Sequence, residues 1–267
     1  LGELVFVGLG LYDENDLSIR GLKTIRGADA VFAEFYTSLM AGLSIQKLEE
    51  KAGKAVKVVS RRVLEEEEGK PILQQAKKGK VVLLVPGDPM IATTHVDLRI
   101  RAEMQEIKTR VIHGASVVSA VIGISGLQNY KFGRSVTIPF PEENFVSEAP
   151  YRVISQNQRR GLHTICYLDI KAEKRKYMTI KKGLEELMKG EKKKKKQVIT
   201  STTLVIGVAR AGSPKPTIHA GYLREVVNYD FGAPPHTIIF PGKLHFMEAE
   251  ALITLAGAPE EVRRMVD

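Results

Sequence analysis

The 267-residue chain has a single cysteine and no apolar run near the length of a membrane span. Cys166 can close no internal disulfide and has no cysteine partner at zinc-ligand spacing. It stands within the apolar stretch HTICYLDI (163–170), where a buried structural thiol is expected. A membrane-crossing helix needs roughly 18 or more apolar residues, and the first ten residues, LGELVFVGLG, lack the basic start of a secretory leader. The expectation is a cytoplasmic protein without membrane contact. His95, His113, His163, His219, His236 and His245 show neither H-x-x-x-H nor H-E-x-x-H spacing, so no metal is expected. G-x-S-x-G and G-x-x-x-x-G-K-[ST] are also missing, which removes the usual support for a serine hydrolase or a nucleotide triphosphatase.

Positive charge is present but not spread. From Lys171 to Lys196, eleven Lys and one Arg stand against four Glu, so nearly all of the net +9 sits in this stretch. A protein that grips a nucleic-acid backbone distributes its charge over a face and interleaves aromatics. The concentration around KGEKKKKKQ instead predicts a solvated loop at Lys192–Lys196, with no nucleic-acid partner.

Apolar residues make up 43% and charged residues 27% of the chain, an ordinary globular balance. In the first half, ELVFVG (3–8), AVFAEF (30–35), AVKVVS (55–60), KVVLLVP (80–86) and TRVIHG (109–114) read as strands separated by helical segments, the first helix capped by Asp16. Continuous apolar strands divided by helices imply a parallel sheet covered on both faces. In the second half, SVTIPF (135–140), LHTICYLDI (162–170), TTLVIGVAR (202–210), TIHAGYL (217–223) and HTIIFPG (236–242) are strand candidates, some with short Pro/Gly connections that favour antiparallel pairing. The fold class is therefore α/β, with two α/β domains over 1–115 and 116–267: the first mainly parallel, the second mixed. A last helix should end at Gly257 and Pro259.

Gly8 and Gly10 follow the first strand like the start of a dinucleotide-binding loop, but the third glycine of G-x-G-x-x-G is replaced by Asp13, whose charge would repel a pyrophosphate. The turn in VPGDPMIATTH (85–95) holds Asp88 between Gly87 and Pro89 at a strand end, where α/β folds bind ligands. A carboxylate there suits amino and hydroxyl donors and a positive centre better than a phosphate. HGASVV (113–118) makes a second small-residue strand-to-helix junction, in which Ser116 either caps the helix or meets a ligand.

Taken in order, GLGLYDENDLS, AEFYTSLMAG, PGDPMIATTH, YKFG, GLHTICYLDIKAEKRKYMT, ARAGS and PPHTIIFPGKLHFMEAEAL resemble the archaeal diphthine synthases, within the tetrapyrrole methylase fold group, over nearly the whole chain. The resemblance implies S-adenosylmethionine bound in a cleft between the two domains, with S-adenosylhomocysteine as product. Carried over position by position, its contacts would be Leu11, Asp88, Ile91, Ser116, Val117, Leu168, Ala211 and His236. It further implies methylation of the amino group of a 3-amino-3-carboxypropyl-histidine on elongation factor 2, and a homodimer. No residue is assigned as catalytic base; Asp88 and His236 are candidates for positioning. The alternatives are a methyltransferase of the same fold acting on a tetrapyrrole or other small molecule, and an RNA-binding protein using the Lys block.

Overall fold

The computed structural model describes residues 2–141 and 147–266. They cluster in two compact units, one of 1–117 with 171–175 and one of 118–170 with 176–267. The expected division treated each half as one continuous stretch, whereas the short segment Lys171–Arg175 belongs with the first unit, where Ala172 packs on the apolar core.

In the first unit, β1 (Glu3–Gly8), β2 (Ala30–Glu34), β3 (Lys57–Val59), β4 (Lys80–Val85) and β5 (Lys108–Ile112) form a sheet of order β3-β2-β4-β1-β5, with every pairing parallel. Helices α1 (Ile19–Arg26), α2 (Ile45–Ala52), α3 (Lys70–Ala76) and α4 (His95–Glu103) connect them. Alternation along the strands explains the continuous apolar runs. Leu4, Phe6, Phe32, Val81, Leu83 and Val85 enter one core, while Val5, Val7, Val31, Ala33, Val82 and Leu84 enter another. Each face needs its own helical cover, which is why the central strands β1, β2 and β4 are polar only at Glu3, Glu34 and Lys80.

Two local expectations change. Helix α1 is capped by Ser18, whose hydroxyl accepts from the Gly21 N–H at 3.0 Å. Asp16 instead folds the preceding loop, accepting from the Leu11 and Tyr12 N–H groups at 2.9 and 2.7 Å. A cap needs an acceptor at the residue that flanks the first helical turn, and Ser18 holds that place.

The second unit begins with α5 (Val117–Ser125) and contains β6 (Val136–Ile138), α6 (Ala149–Arg159), β7 (Thr164–Leu168), a ribbon of β8 (Ile170–Lys171) and β9 (Lys176–Tyr177), α7 (Ile180–Lys194), β10 (Leu204–Ala209), β11 (Thr217–Tyr222), α8 (Leu223–Val226), β12 (His236–Phe240) and α9 (Phe246–Ala256). Its main sheet runs β11-β10-β12-β7-β6 and is mixed, since only β6 and β7 pair in parallel. Cys166 lies fully buried in its core, and burial pushes the thiol well above its ordinary range. Gly257 ends α9 in the left-handed conformation.

The lysine block is helix over Lys192–Lys194, and only Lys195 and Lys196 lie beyond it; Lys192, Lys193, Lys195 and Lys196 are exposed, as a solvated block requires. Helix α7 runs through Lys194 and closes on Lys195 in the left-handed conformation. Lysine is a good helix former, its charge complements the helix C-terminal dipole, and Glu148 meets Lys194 at 2.7 Å. Among the described residues no helix is long and apolar enough to cross a membrane.

Candidate active site

The C-terminal ends of β4, β1 and β5 lie side by side, and their loops meet through glycine backbone. Gly10 and Gly87 bond reciprocally, N–H to carbonyl, at 3.3 and 2.6 Å. A side chain on Gly8 would place its Cβ 2.5 Å from the Gly87 carbonyl oxygen, and one on Gly114 would place it at 2.4 Å from the same atom. Real Cβ contacts do not occur at such distances, so all three loops depend on missing side chains. Gly87 is different: its φ of +70° favours glycine, yet a Cβ there would face open space, with only the Ala115 carbonyl oxygen at 3.9 Å. A ligand therefore has room to approach the backbone at Gly87.

Asp88 comes next and is 7% exposed. One carboxylate oxygen accepts from the Met90 N–H at 2.9 Å, and the other meets His113 Nδ1 at 2.7 Å. Each oxygen keeps a lone pair beyond these contacts. Leu11 follows Gly10 of the Gly10–Gly87 bridge, and Ser116 and Val117 follow Gly114, whose backbone packs on the Gly87 carbonyl. Ile91 stands one turn beyond Asp88 and is exposed. Asp13 lies in the turn after Leu11 and accepts from the Asn15 N–H at 2.8 Å. Helix α1 starts only at Ile19, so Gly8 and Gly10 do not open directly onto a helix as a dinucleotide loop requires.

In the second unit the remaining three residues gather at one end of neighbouring strands. His236 pairs with Ala209 of β10, Thr237 pairs with Tyr167 of β7, and Leu168 follows Tyr167. Ala211 lies in the turn after β10, two residues before Ser213, whose hydroxyl oxygen is buried without a hydrogen-bond partner. Arg210, at φ +53°, braces this turn against the 231–235 segment by donating to the Phe231 and Ala233 carbonyls. The His236 ring is committed at both nitrogens: Nδ1 accepts from the Ile180 N–H at 3.2 Å, so Nε2 carries the proton and donates to the Gly232 carbonyl at 3.1 Å. Burial holds this histidine below its ordinary range and therefore neutral.

Three site features were not singled out from sequence. His113 as the partner of Asp88 and Gly114 as a close-approach glycine were within HGAS, a motif read only for its serine. The buried pair of Glu34 and His95, 3.1 Å apart at Nε2 and Oε1, lay inside the EFYTS and ATTH motifs without an assigned role. No cluster suited to a metal occurs among the described residues.

The geometry can be set beside known proteins. Residues 3–227 match the sequence model of the Tetrapyrrole (Corrin/Porphyrin) Methylases. The diphthine synthase of Methanocella arvoryzae is 50% identical over 254 residues, covering 95% of this chain and 98% of that one. The diphthine synthase of Methanosarcina mazei is 46% identical, covering 99% and 100%. A crystal structure of diphthine synthase superposes with a TM-score of 0.90 at 41% identity, covering 99% of this chain and all of that one. With the family model spanning residues 3–227, relatives at 46–50% identity over almost the whole chain and a matching fold, the chain belongs to the diphthine synthases, methyltransferases of the tetrapyrrole methylase family.

Proposed function

We propose that this chain transfers methyl groups from S-adenosylmethionine to the amino nitrogen of a 3-amino-3-carboxypropyl-histidine on elongation factor 2, releasing S-adenosylhomocysteine. The observation that carries this reading is 46–50% identity, along almost the whole chain, to proteins named diphthine synthase. A tetrapyrrole acceptor is less favoured, since these relatives share the narrower name. Work in the cytoplasm and assembly as a homodimer belong to the same reading; sedimentation at micromolar concentration tests the latter.

The donor set suits the methyl donor. The glycine edge offers open space at Gly87, a carboxylate at Asp88 with lone pairs to spare, and no lysine-bearing phosphate loop. The unpartnered Ser213 hydroxyl, two residues after Ala211, adds a hydrogen-bonding group in need of a partner. Leu11, Asp88, Ile91, Ser116 and Val117 from the first unit, and Leu168, Ala211 and His236 from the second, are assigned as its contacts. S-adenosylmethionine supplies an electrophilic methyl on a sulfonium centre.

The protein's part is placement. Asp88, fixed by Met90 N–H and His113, orients amino or hydroxyl groups. His236, neutral and bonded at both ring nitrogens, shapes the wall and takes no proton. The acceptor amine loses its proton to water before attack, and alignment of nucleophile and methyl contributes about 7–11 kcal/mol. Intact-mass measurement of elongation factor 2 carrying the precursor, after incubation with this protein and S-adenosylmethionine, should show added methyl groups. An unchanged mass with a precorrin methylated instead would overturn the assignment.

A further inference from the structure

Among the described residues, the EFYTS and ATTH motifs contain the one pair of buried ionisable groups in the first unit that the proposed contacts leave unused. Glu34 ends β2, next to β4 in the sheet, and is 0% exposed; His95 opens α4 and is 2% exposed. The carboxylate is saturated by donors. Oε2 accepts from the Tyr36 and Thr37 N–H groups at 3.0 and 3.1 Å, and Oε1 accepts from the Thr37 hydroxyl at 2.5 Å and meets His95 Nε2 at 3.1 Å. With three contacts to its own turn, Glu34 is a fixed post. His95 is tied to it, and its ring stands edge-on to Tyr36 at 6.4 Å.

Between Asp88 and His95 runs the loop that carries two assigned contacts. Its near end is held by the Gly10–Gly87 bridge and by His113 on Asp88. Ile91, Ala92 and Thr94 are exposed, and Ala92 sits at φ +56°, a conformation that an alanine keeps only when its surroundings impose it. Within the loop the Thr93 hydroxyl donates to the Pro89 carbonyl at 2.6 Å; at the far end Thr94 reaches Glu65 at 3.4 Å on the surface, leaving His95–Glu34, among the described residues, as the buried polar tie from that end to the rest of the unit. An apolar pair of similar volume would pack there at less desolvation cost, so a buried ionic hydrogen bond is better explained by the definite position that it imposes.

We propose that Glu34 and His95 are positioning residues: anchored to the end of β2, they hold the 88–95 loop in the shape that presents Asp88 and Ile91, and they set affinity for the methyl donor without touching it. The proposal rests on the reading of Asp88 and Ile91 as cofactor contacts. Two substitutions separate position from bulk. His95→Gln keeps an N–H near the place of Nε2, while His95→Leu keeps comparable volume and removes the donor.

S-adenosylhomocysteine affinity by calorimetry, below each variant's melting midpoint, should fall roughly tenfold in His95→Leu, the equivalent of about one hydrogen bond, and stay near wild type in His95→Gln. Amide hydrogen exchange over 89–95 should quicken in His95→Leu alone, with β1 and β4 unchanged. A merely structural pair would lower the melting temperature of His95→Leu yet leave affinity intact, and that result overturns the proposal. So does equal loss in both variants, or unchanged exchange over 89–95. Asp88→Ala run in parallel tests the underlying reading: wild-type affinity there with faster loop exchange in His95→Leu would refute the cofactor assignment, while the exchange result would uphold the pair as the loop's anchor.

Discussion

The two units each contain a glutamate at 0% exposure bonded to the Nε2 of a buried histidine, and the pairs do different work. Glu34 spends three of its contacts on its own turn and one on His95. Glu248 spends all of its contacts at a distance or at the start of its own helix: Gln128 N–H and His163 Nε2 donate to Oε1 at 2.8 and 2.9 Å, and Lys131 Nζ and His245 N–H to Oε2 at 2.6 and 2.8 Å. His163 in turn accepts the Gly242 N–H on Nδ1 at 2.9 Å, which fixes its proton on Nε2. The second network joins residues 128–131, 163 and 242–248, three stretches that only the fold brings together. A buried carboxylate is thus a weld where its donors come from remote segments, and a loop anchor where most come from its own turn.

The comparison breaks first under mutation of the carboxylates. Glu248→Leu takes the carboxylate from the Lys131 ammonium, which keeps only the Lys243 carbonyl, and leaves two backbone N–H groups and His163 Nε2 unpaired; it should cost about 3–5 kcal/mol of unfolding free energy, read from denaturant midpoints. Glu34→Gln keeps the shape and one acceptor oxygen, and should cost about 1–3 kcal/mol. Equal losses would erase the distinction between weld and anchor.

Acid sharpens it next. Burial holds His163 below its ordinary value despite Glu248, and it also lowers His219 and His236. These groups stay neutral in the fold while the unfolded chain gains protons below about pH 6.5, so their contribution is complete above that value and is lost as pH falls toward the depressed folded values. Glu248, also held low, adds its loss only at more acidic pH, below the ordinary value of 4.5. Urea midpoints should therefore decline between neutrality and pH 5, before the carboxylates titrate, and a flat profile across that range would contradict the buried neutral histidines.

At the site, smaller energies should separate affinity from stability. Gly87→Ala should destabilise by about 1–2 kcal/mol through its positive φ alone, because its Cβ meets no protein atom closer than 3.9 Å. It should lose S-adenosylhomocysteine binding out of proportion to that cost. Asp88→Ala, which takes the acceptor from the Met90 N–H and His113, should cost about 1 kcal/mol and should weaken binding measured by calorimetry beyond that cost. The smallest effect is expected for Lys192–Lys196 replaced together by Gln: Lys194 loses Glu148, an exposed pair worth about 0.2–1 kcal/mol, and kcat/KM on the protein substrate should hold at both low and high salt. A loss confined to low salt would instead reveal electrostatic steering by the end of α7.

Much of this was legible in residues. The β-branched runs announced a covered parallel sheet, and PGDP marked a turn at a strand end where Gly87 adopts positive φ. The cap of α1 was misplaced because Asp16 and Ser18 are both good capping residues two positions apart, and chain direction after the glycine loop chose between them. The lysine block is solvated as its charge density suggested, but the loop reading failed over Lys192–Lys194, because helix propensity, the C-terminal dipole and Glu148 carried α7 to Lys194. His113, Glu34 and His95 gave no periodic signal at all.

Sequence alone determined the apolar alternation, the positions of glycine turns and the resemblance to a methyltransferase family, since each is written in short stretches of neighbouring residues. Only the tertiary structure decided which polar groups meet: His113 with Asp88, His95 with Glu34, and Glu248 with residues as far away as Gln128. The physical reason is range. Side-chain alternation and backbone freedom are local properties, whereas a buried hydrogen bond joins groups set side by side by strand order and register, and its partner can stand anywhere along the chain.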